Sequence, residues 1–250
     1  MNIDRITPAT RPESTPLGHQ QWRHLLFASW TCPDEILRAK VPQSLSLDSF
    51  NGKSYISIIP FTIPMMRATG IPPIPFASSM NEVNVRTYVH LQGSDPGVYF
   101  FSLDASNLAA VMGGRSVYHL PYFHAGIDLS VHEDASGGTV DFSSRRITPV
   151  EPQADFTASY GGIGTTAPAR RDTLEHFLVE RYFLYTEHDD RIFRAQVHHQ
   201  PYPLQVAEVS RLDQTLIAAA GLMHDGHEPV LHYSAGVDVE IFGLQRAPLR

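Results

Sequence analysis

Asn81-Glu82-Val83-Asn84-Val85-Arg86-Thr87-Tyr88-Val89-His90-Leu91 alternates contrasting side chains with a period of two, which is the pattern of a β-strand. Its large apolar members, Val83, Val85, Tyr88 and Val89, are distributed across both faces. On either side of it the texture recurs: Leu25 to Trp30 reads as a buried strand and Ser54 to Thr62 alternates large apolar with small residues. Gly97–Leu103, Ser116–His124, Gly126–His132 and Gly138–Ser144 continue the pattern, separated by Gly, Ser and Asp turns. Further strands are expected at Tyr182–Glu187, Ile192–His199, Leu204–Arg211 and Val230–Phe242. The expected class is therefore α+β, mainly β, with a few peripheral helices.

Those helices have weaker signals. Pro33 followed by Asp34 and Glu35 opens a short helix through Ala39. Asp104 is expected to cap a helix over 104–111 that stops at Gly113-Gly114. Asp172 with Glu175 forms a capping pair ahead of Leu174, Phe177 and Leu178, and an apolar helix is expected around Gln214–Leu222. The Pro- and Gly-rich segments Arg67–Ala77 and Pro149–Pro168 read as long loops of the kind that rim a site or cross the end of a barrel. Residues 1–20, with three prolines by position 16, are expected to form a flexible tail, and residues 21–250 a single domain.

Composition narrows the function classes. A net charge of -7 without any basic run argues against phosphate-mediated nucleic-acid binding. The single cysteine, Cys32, excludes an intramolecular disulfide and a thiolate zinc site. No apolar run reaches the ~18 to 20 residues of a membrane helix, and the polar N-terminus lacks a signal peptide's apolar stretch. A cytoplasmic protein with neither membrane nor nucleic-acid partners is the expectation. Thirteen histidines raise a metal site, but none stands in a ligand motif and adjacent His198-His199 cannot share a strand face. Neither metal nor cofactor is expected. No Gly-x-Ser-x-Gly elbow is present, and Gly161-Gly162-Ile163-Gly164 lacks the Lys-Ser/Thr of a phosphate loop, so it reads as a flexible turn.

Several segments together resemble the YqjF-like family, a domain of unknown function within the acetoacetate decarboxylase-like superfamily. They include Phe27-Ala28-Ser29-Trp30, Phe50-Asn51-Gly52-Lys53, Glu82 to Val89, Phe100 to Ala105, Phe177 to Tyr182, His198-His199-Gln200-Pro201 and His232 to Val239. The resemblance implies a strongly bent antiparallel sheet closing into a cone-shaped barrel around a polar-lined cavity. Asn81-Glu82-Val83 resembles the strand that carries an active-site glutamate in the decarboxylases. Gly114-Arg115 through Pro121 resembles their Gly-Arg turn and the Pro that precedes two adjacent lysines, one of which forms a Schiff base. Here those two positions are Tyr122 and Phe123, and the chain's lysines are only Lys40 and Lys53, far upstream. The resemblance thus implies a decarboxylase-like cavity without its amine. It also leaves Trp30 near the position of a decarboxylase arginine. Relatives often assemble, so a homo-oligomer is the protein partner the resemblance allows.

Four residues are the catalytic candidates. Glu82 and Arg86 are four apart on one strand and share a face, offering an acid–base group and a fixed cation, or else an internal salt bridge. Tyr122 and His124, two apart, also share a face, as polar orienters of a ligand or as satisfied core residues. Trp30, Phe61, Tyr88, Phe100, Phe123, His199 and His232 are the candidate ligand-binding residues. The expected function is binding or transformation of an oxo-acid or related metabolite. A non-catalytic hydrophobic ligand-binding module or scaffold is the alternative.

Overall fold

The computed structural model describes residues 3–75, 77–134, 137–147 and 152–248. In chain order the elements are β1 (Gly18–Cys32), α1 (Asp34–Arg38), β2 (Ser46–Leu47), β3 (Ser54–Ala68), β4 (Met80–Leu91) and β5 (Ser94–Ala105). Then come α2 (Leu108–Tyr118), β6 (Tyr122–Asp134), β7 (Gly137–Arg146), β8 (Asp155–Ala167), α3 (Leu174–Val179) and β9 (Phe183–His188). The chain ends with β10 (Arg191–His199), β11 (Leu204–Gln214), α4 (Leu216–Ala219), β12 (Val230–Ile241) and β13 (Gln245–Arg246). Among these residues no helix is long and apolar enough to cross a membrane.

Among the described residues the thirteen strands form one sheet, and it closes on itself. β5, β6, β7, β8, β11, β12, β1, β3 and β4 pair in that order, and β4 returns to β5 to complete a ring of nine. β9 and β10 form a second bridge, from β5 across to β12. The strands β12, β1, β3, β4 and β5 are therefore a wall shared by two enclosures. Most pairs are antiparallel, while β5 runs parallel to both β6 and β9. The bent, closed, mainly antiparallel sheet expected from the sequence is present.

Where a wall has an enclosure on each side, both faces are buried, and the middle of β1, β3 and β4 accordingly carries apolar side chains on both faces. On β1, Leu26, Ala28 and Trp30 enter one core with Val83 and Val85 of β4 and Phe142 and Phe156 of the nine-strand ring. Leu25 and Phe27 enter the other, with Ile59, Phe61, Val197 and α3. The period of two thus sorts neighbouring residues into different interiors.

Several local expectations are corrected. Asp104 is not a helix cap. It lies in β5, buried, and its two carboxylate oxygens accept from Arg146 Nη2 and Nε at 2.9 and 2.8 Å. The helix is capped by Asn107, whose side chain accepts from the backbone of Ala109 and Ala110. It runs through Gly113-Gly114 to Tyr118 and ends on His119 in the left-handed conformation, so the strand expected from Ser116 starts only at Tyr122. The cap of α3 is Thr173, which accepts from His176 N at 3.3 Å, rather than Asp172. The segment expected as a loop to Pro168 is mostly strand β8, and the Gly161 turn lies inside it. A Cβ on Gly161 would approach Gly138 O to 2.5 Å, so glycine lets β7 come close. Pro149–Glu151 of that segment, and Phe76 of the other expected loop, lie outside the described residues.

Near the N-terminus, Arg5 pairs with the buried Asp48. Arg11 pairs with Glu240 at 2.6 Å, and Gln196 donates to Pro8 O at 2.9 Å. β1 begins at Gly18, ahead of the change of texture at Trp22.

The Asp104–Arg146 pair provides a test of the fold. Both side chains are almost fully buried, and the guanidinium also lies 3.8 Å from the Phe123 ring centroid. Removing one partner leaves an uncompensated charge, so Arg146→Leu should cost about 3–5 kcal/mol in urea denaturation. The double variant Asp104→Leu/Arg146→Leu should recover a large part of that loss. Equal destabilisation by the single and double variants would contradict the pairing.

Candidate active site

Between the shared wall and the β9–β10 bridge lies a cavity of about 560 Å³. Its polar part comes from one face of β4, where Glu82, Asn84 and Arg86 occupy alternate positions. The register of the sheet assembles the rest. Glu82 stands opposite Phe61 of β3, Asn84 opposite both Ile59 of β3 and Leu103 of β5, and Leu103 opposite Tyr122 of β6. The register thereby brings Tyr122 of β6 to a carboxyl group on β4, 40 residues earlier in the chain.

Glu82 is 3% exposed. Its Oε2 accepts from the Tyr122 hydroxyl at 2.9 Å and its Oε1 from Asn84 Nδ2 at 3.2 Å. Burial pushes its pKa up to about 7, against the pull of those two hydrogen bonds and helped by the nearby charge of Asp104. Tyr122 is held well above the usual phenol value, first by burial and then by the charge of Glu82, so it stays a neutral donor. The Tyr122 ring fits because residue 114 is glycine. A Cβ there would come within 2.5 Å of two ring carbons.

Arg86 sits further along the strand and makes no ion pair with Glu82, so the internal salt bridge is not formed among the described residues. Its Nη2 donates to Leu178 O at 3.0 Å, and its guanidinium lies 5.8 Å from the Phe27 ring centroid and 5.7 Å from that of Tyr88. Two buried polar atoms of this set have no partner, Arg86 Nε and Asn84 Oδ1. One is a donor and the other an acceptor.

Most of the remaining lining is apolar, with Leu25, Phe27, Ile59, Phe61, Ile63 and Val197 in the walls and Phe100, Leu103 and Tyr202 alongside, while His19, Gln20, Arg67 and Ser78 add polar groups. Towards the surface the rim includes Leu17, Ile71, Pro72, Ile74 and Val117. Ile71 and Ile74 are 50% and 58% exposed, unlike the buried Glu82 and Asn84. The cavity therefore runs from a buried polar set to a more exposed rim in which apolar side chains stand beside Arg67 and Ser78.

Of the residues singled out in the sequence, Glu82, Arg86, Tyr122, Phe61 and Phe100 line this cavity. The others do not. His124 lies beyond Tyr122 on β6 and is absent from the lining, and its backbone oxygen accepts from Ile147 N at 3.0 Å. Phe123 faces the other way, under Arg146. Trp30 is packed in the opposite core. Tyr88 shares the Glu82 face but is sealed behind α3, its hydroxyl 2.6 Å from that of Ser57 and donating to Leu178 O at 2.9 Å. His199 lies behind the lining, stacked on Tyr182 at 4.6 Å, with burial lowering its pKa to about 4 so that it is neutral. His232, opposite Phe27 in the register, is half-buried and also outside the lining. Among the described residues no cluster of His, Cys, Asp and Glu side chains suited to a metal ion occurs. Trp22, Asn84 and Tyr202 line the cavity without having been singled out. Asn84 was accessible to sequence reasoning, since it sits midway between Glu82 and Arg86 on the same face. Among the described residues lining the cavity there is no lysine.

This fold is that of the acetoacetate decarboxylase-like proteins. An acetoacetate decarboxylase from Legionella pneumophila superposes with a TM-score of 0.63 at 12% identity, over 95% of this chain and 91% of the other. An acetoacetate decarboxylase-like enzyme from Sphingomonas wittichii RW1 gives 0.64 at 12% identity, over 94% of each chain. The enduracididine biosynthesis enzyme MppR in complex with pyruvate gives 0.64 at 12% identity, over 94% of this chain and 91% of the other. At such identities the likeness is one of fold. Within that class the chain belongs to the DUF2071 family of uncharacterized conserved proteins, which matches residues 19–238. It is 38% identical over 235 residues, 94% of either chain, to the uncharacterized protein YqjF of Bacillus subtilis (strain 168).

The raised pKa of Glu82 has a thermodynamic consequence. Its folded value of about 7 exceeds the ordinary 4.5, so the folded chain keeps a proton that the unfolded chain releases. The stability linked to that proton is fully present below about pH 4.5 and is lost as pH rises through about 7. Glu82→Gln does not titrate and escapes this loss. It should exceed the wild type by up to about 3 kcal/mol in urea denaturation at pH 8, with the excess vanishing near pH 4.5. Tyr122→Phe removes a hydrogen bond that favours the charged form, so it should move the Glu82 titration, followed by carboxyl NMR, above about 7.

Proposed function

We propose that the cavity binds a small carbonyl or carboxylate compound and that Glu82 moves a proton on it without a covalent imine. The observation that carries this reading is the Glu82 carboxyl, buried at the polar end of the cavity and titrating at about 7. A general acid or base works best when its pKa lies near the working pH, and burial is the usual means of raising a carboxyl there.

In this reading the Glu82 carboxylate takes a proton from the carbon next to a carbonyl. The electron pair of the broken C–H bond moves onto the carbonyl oxygen as an enolate. Arg86, whose charge is fixed, faces that developing negative charge from the same side of β4. Tyr122 holds the carboxyl in position through its hydroxyl. Return of the proton to carbon or to oxygen completes an enolisation or isomerisation. Decarboxylation fits less well, because an electrostatic clamp is a weaker electron sink than an iminium.

A second reading, a non-catalytic binding module, is favoured by the apolar walls. Clefts with mostly apolar lining and few polar groups are what small-molecule sites require, with or without chemistry.

The two readings separate on proton exchange. With short 2-oxo and 3-oxo carboxylates in D2O, the wild type should exchange the protons next to the carbonyl. Glu82→Gln should slow that exchange about 100-fold or more while changing the dissociation constant less than about tenfold. Binding without exchange in the wild type would support the binding module, and a borohydride-trapped adduct on Lys40 or Lys53 would overturn the imine-free mechanism.

A further inference from the structure

Asn84 and Arg86 line the same cavity, and Asn84 Oδ1 and Arg86 Nε are buried without a hydrogen-bond partner. A buried polar atom without a hydrogen bond is destabilising, and native structures rarely keep one without a reason such as an absent ligand or water. The orphans here come as a pair of opposite polarity. Arg86 Nε–H calls for an acceptor, and with its charge a carboxylate oxygen is the fitting one. Asn84 Oδ1 calls for a donor, because the Asn84 amide nitrogen is already committed to Glu82 Oε1. That assignment of the amide comes from the hydrogen-bond network and holds for the ionised carboxylate, which only accepts. A plain carboxylate satisfies Arg86 and leaves Asn84 unmet. A carboxylate that also carries a hydroxyl or enol O–H satisfies both.

The rest of the cavity selects the part of the ligand attached to that head group. Beyond the polar set the walls include Phe61, Ile63 and Met66, and the lining continues to Ile71, Ile74 and Val117, with Arg67 and Ser78 beside them. Ile71, Ile74 and Val117 are more than half exposed or at that limit, although large apolar side chains carry no advantage in contact with water. A volume of about 560 Å³ lies well inside the range that encloses drug-sized molecules. A three- or four-carbon acid would occupy only the polar end and leave the apolar walls uncovered.

From this arrangement we infer that the ligand is amphiphilic: a hydroxy- or enol-carboxylate head held by Asn84 and Arg86 beside Glu82, with an apolar tail lying along Phe61, Ile63 and Met66 and emerging between Ile71, Ile74 and Val117. This rests on the proposed function for its location and adds the class of compound. It also gives Asn84 the role of a specificity-determining residue, reading the hydroxyl that distinguishes this head from a plain acid.

The test uses the whole chain and two homologous series by calorimetry at pH 7, straight-chain 3-hydroxy carboxylates and unsubstituted carboxylates of four to ten carbons. For the wild type, affinity should rise about fourfold with each methylene, and the hydroxylated members should bind more tightly than the plain acids of equal length. Asn84→Leu should cost the hydroxylated series about tenfold and leave the plain series little changed. Ile71→Asp/Ile74→Asp, altered only at exposed positions, should flatten the rise among the longer members. A dissociation constant independent of chain length in the wild type would overturn the tail while leaving the proton-transfer reading intact. Equal binding of the two series would overturn the head. If the series do not bind while short oxo-carboxylates still exchange protons, the amphiphile fails alone; if both are inert, the proposed function fails with it. The wild-type series stands without any variant, so a poorly folded Asn84→Leu would not shield the inference.

Discussion

The structure depends on a wall of strands buried on both sides. β4 shows what this demands. Val83 and Val85 belong to the core of the nine-strand ring, and because a strand turns successive side chains to opposite faces, Glu82, Asn84 and Arg86 must enter the other enclosure. A slip of one residue would exchange the two sets. It would drive a carboxyl and a guanidinium into an interior that offers no water, at a cost far above that of any single contact. The valines therefore fix the position of the carboxyl as firmly as any hydrogen bond to it. The same logic on β1 sends Leu26 and Ala28 one way and Leu25 and Phe27 the other.

Within that frame the chain treats its buried carboxyl groups differently. Asp104 receives a two-pronged guanidinium from Arg146, which opposes, without cancelling, the burial that raises its pKa. Asp48 is held by Arg181 and Arg5. Glu82 receives only a phenol and an amide, both neutral. Neutral donors stabilise a carboxylate less than a cation does, so burial prevails and the proton lies within reach of neutrality. Two carboxyl groups on neighbouring strands, Glu82 opposite Ala105 and Asp104 one residue away, are thus treated differently. Burial raises the pKa of both, but only Asp104 has a cation to pull against it.

The sequence made the strands legible, because alternation survives even where both faces are buried, and it made Glu82 and Arg86 legible as a pair sharing a face. It did not reveal which of two interiors a residue faces. In a simple barrel an inward aromatic lines the hollow. Here Trp30, Phe123 and Tyr88 are all inward and none lines the cavity, because one lies in the other core, one supports Arg146 and one is sealed by α3. The helix α2 was misplaced for a different reason. Asp104 with two glycines about ten residues later imitates a cap and a stop, whereas the glycines lie within the helix and Gly114 leaves room for the Tyr122 ring. That requirement comes from the strand after the helix, and no local propensity records it. β8 was hidden by the glycines that let β7 approach it.

Tyr122 stands where the family resemblance would place the first of two lysines, and its hydroxyl points at Glu82. An ammonium in that place would form an ion pair with the carboxylate and pull the pKa of Glu82 down, as the Arg146 guanidinium pulls against burial at Asp104. A phenol that burial keeps neutral does the opposite. It orients the carboxyl yet leaves desolvation as the larger influence on its proton. With a tyrosine at 122 the Glu82 carboxyl has no cationic partner among the described residues, and its proton is governed by burial. Arg86, further along the same face, likewise has no carboxylate partner among those residues, and its Nε is left without a hydrogen bond.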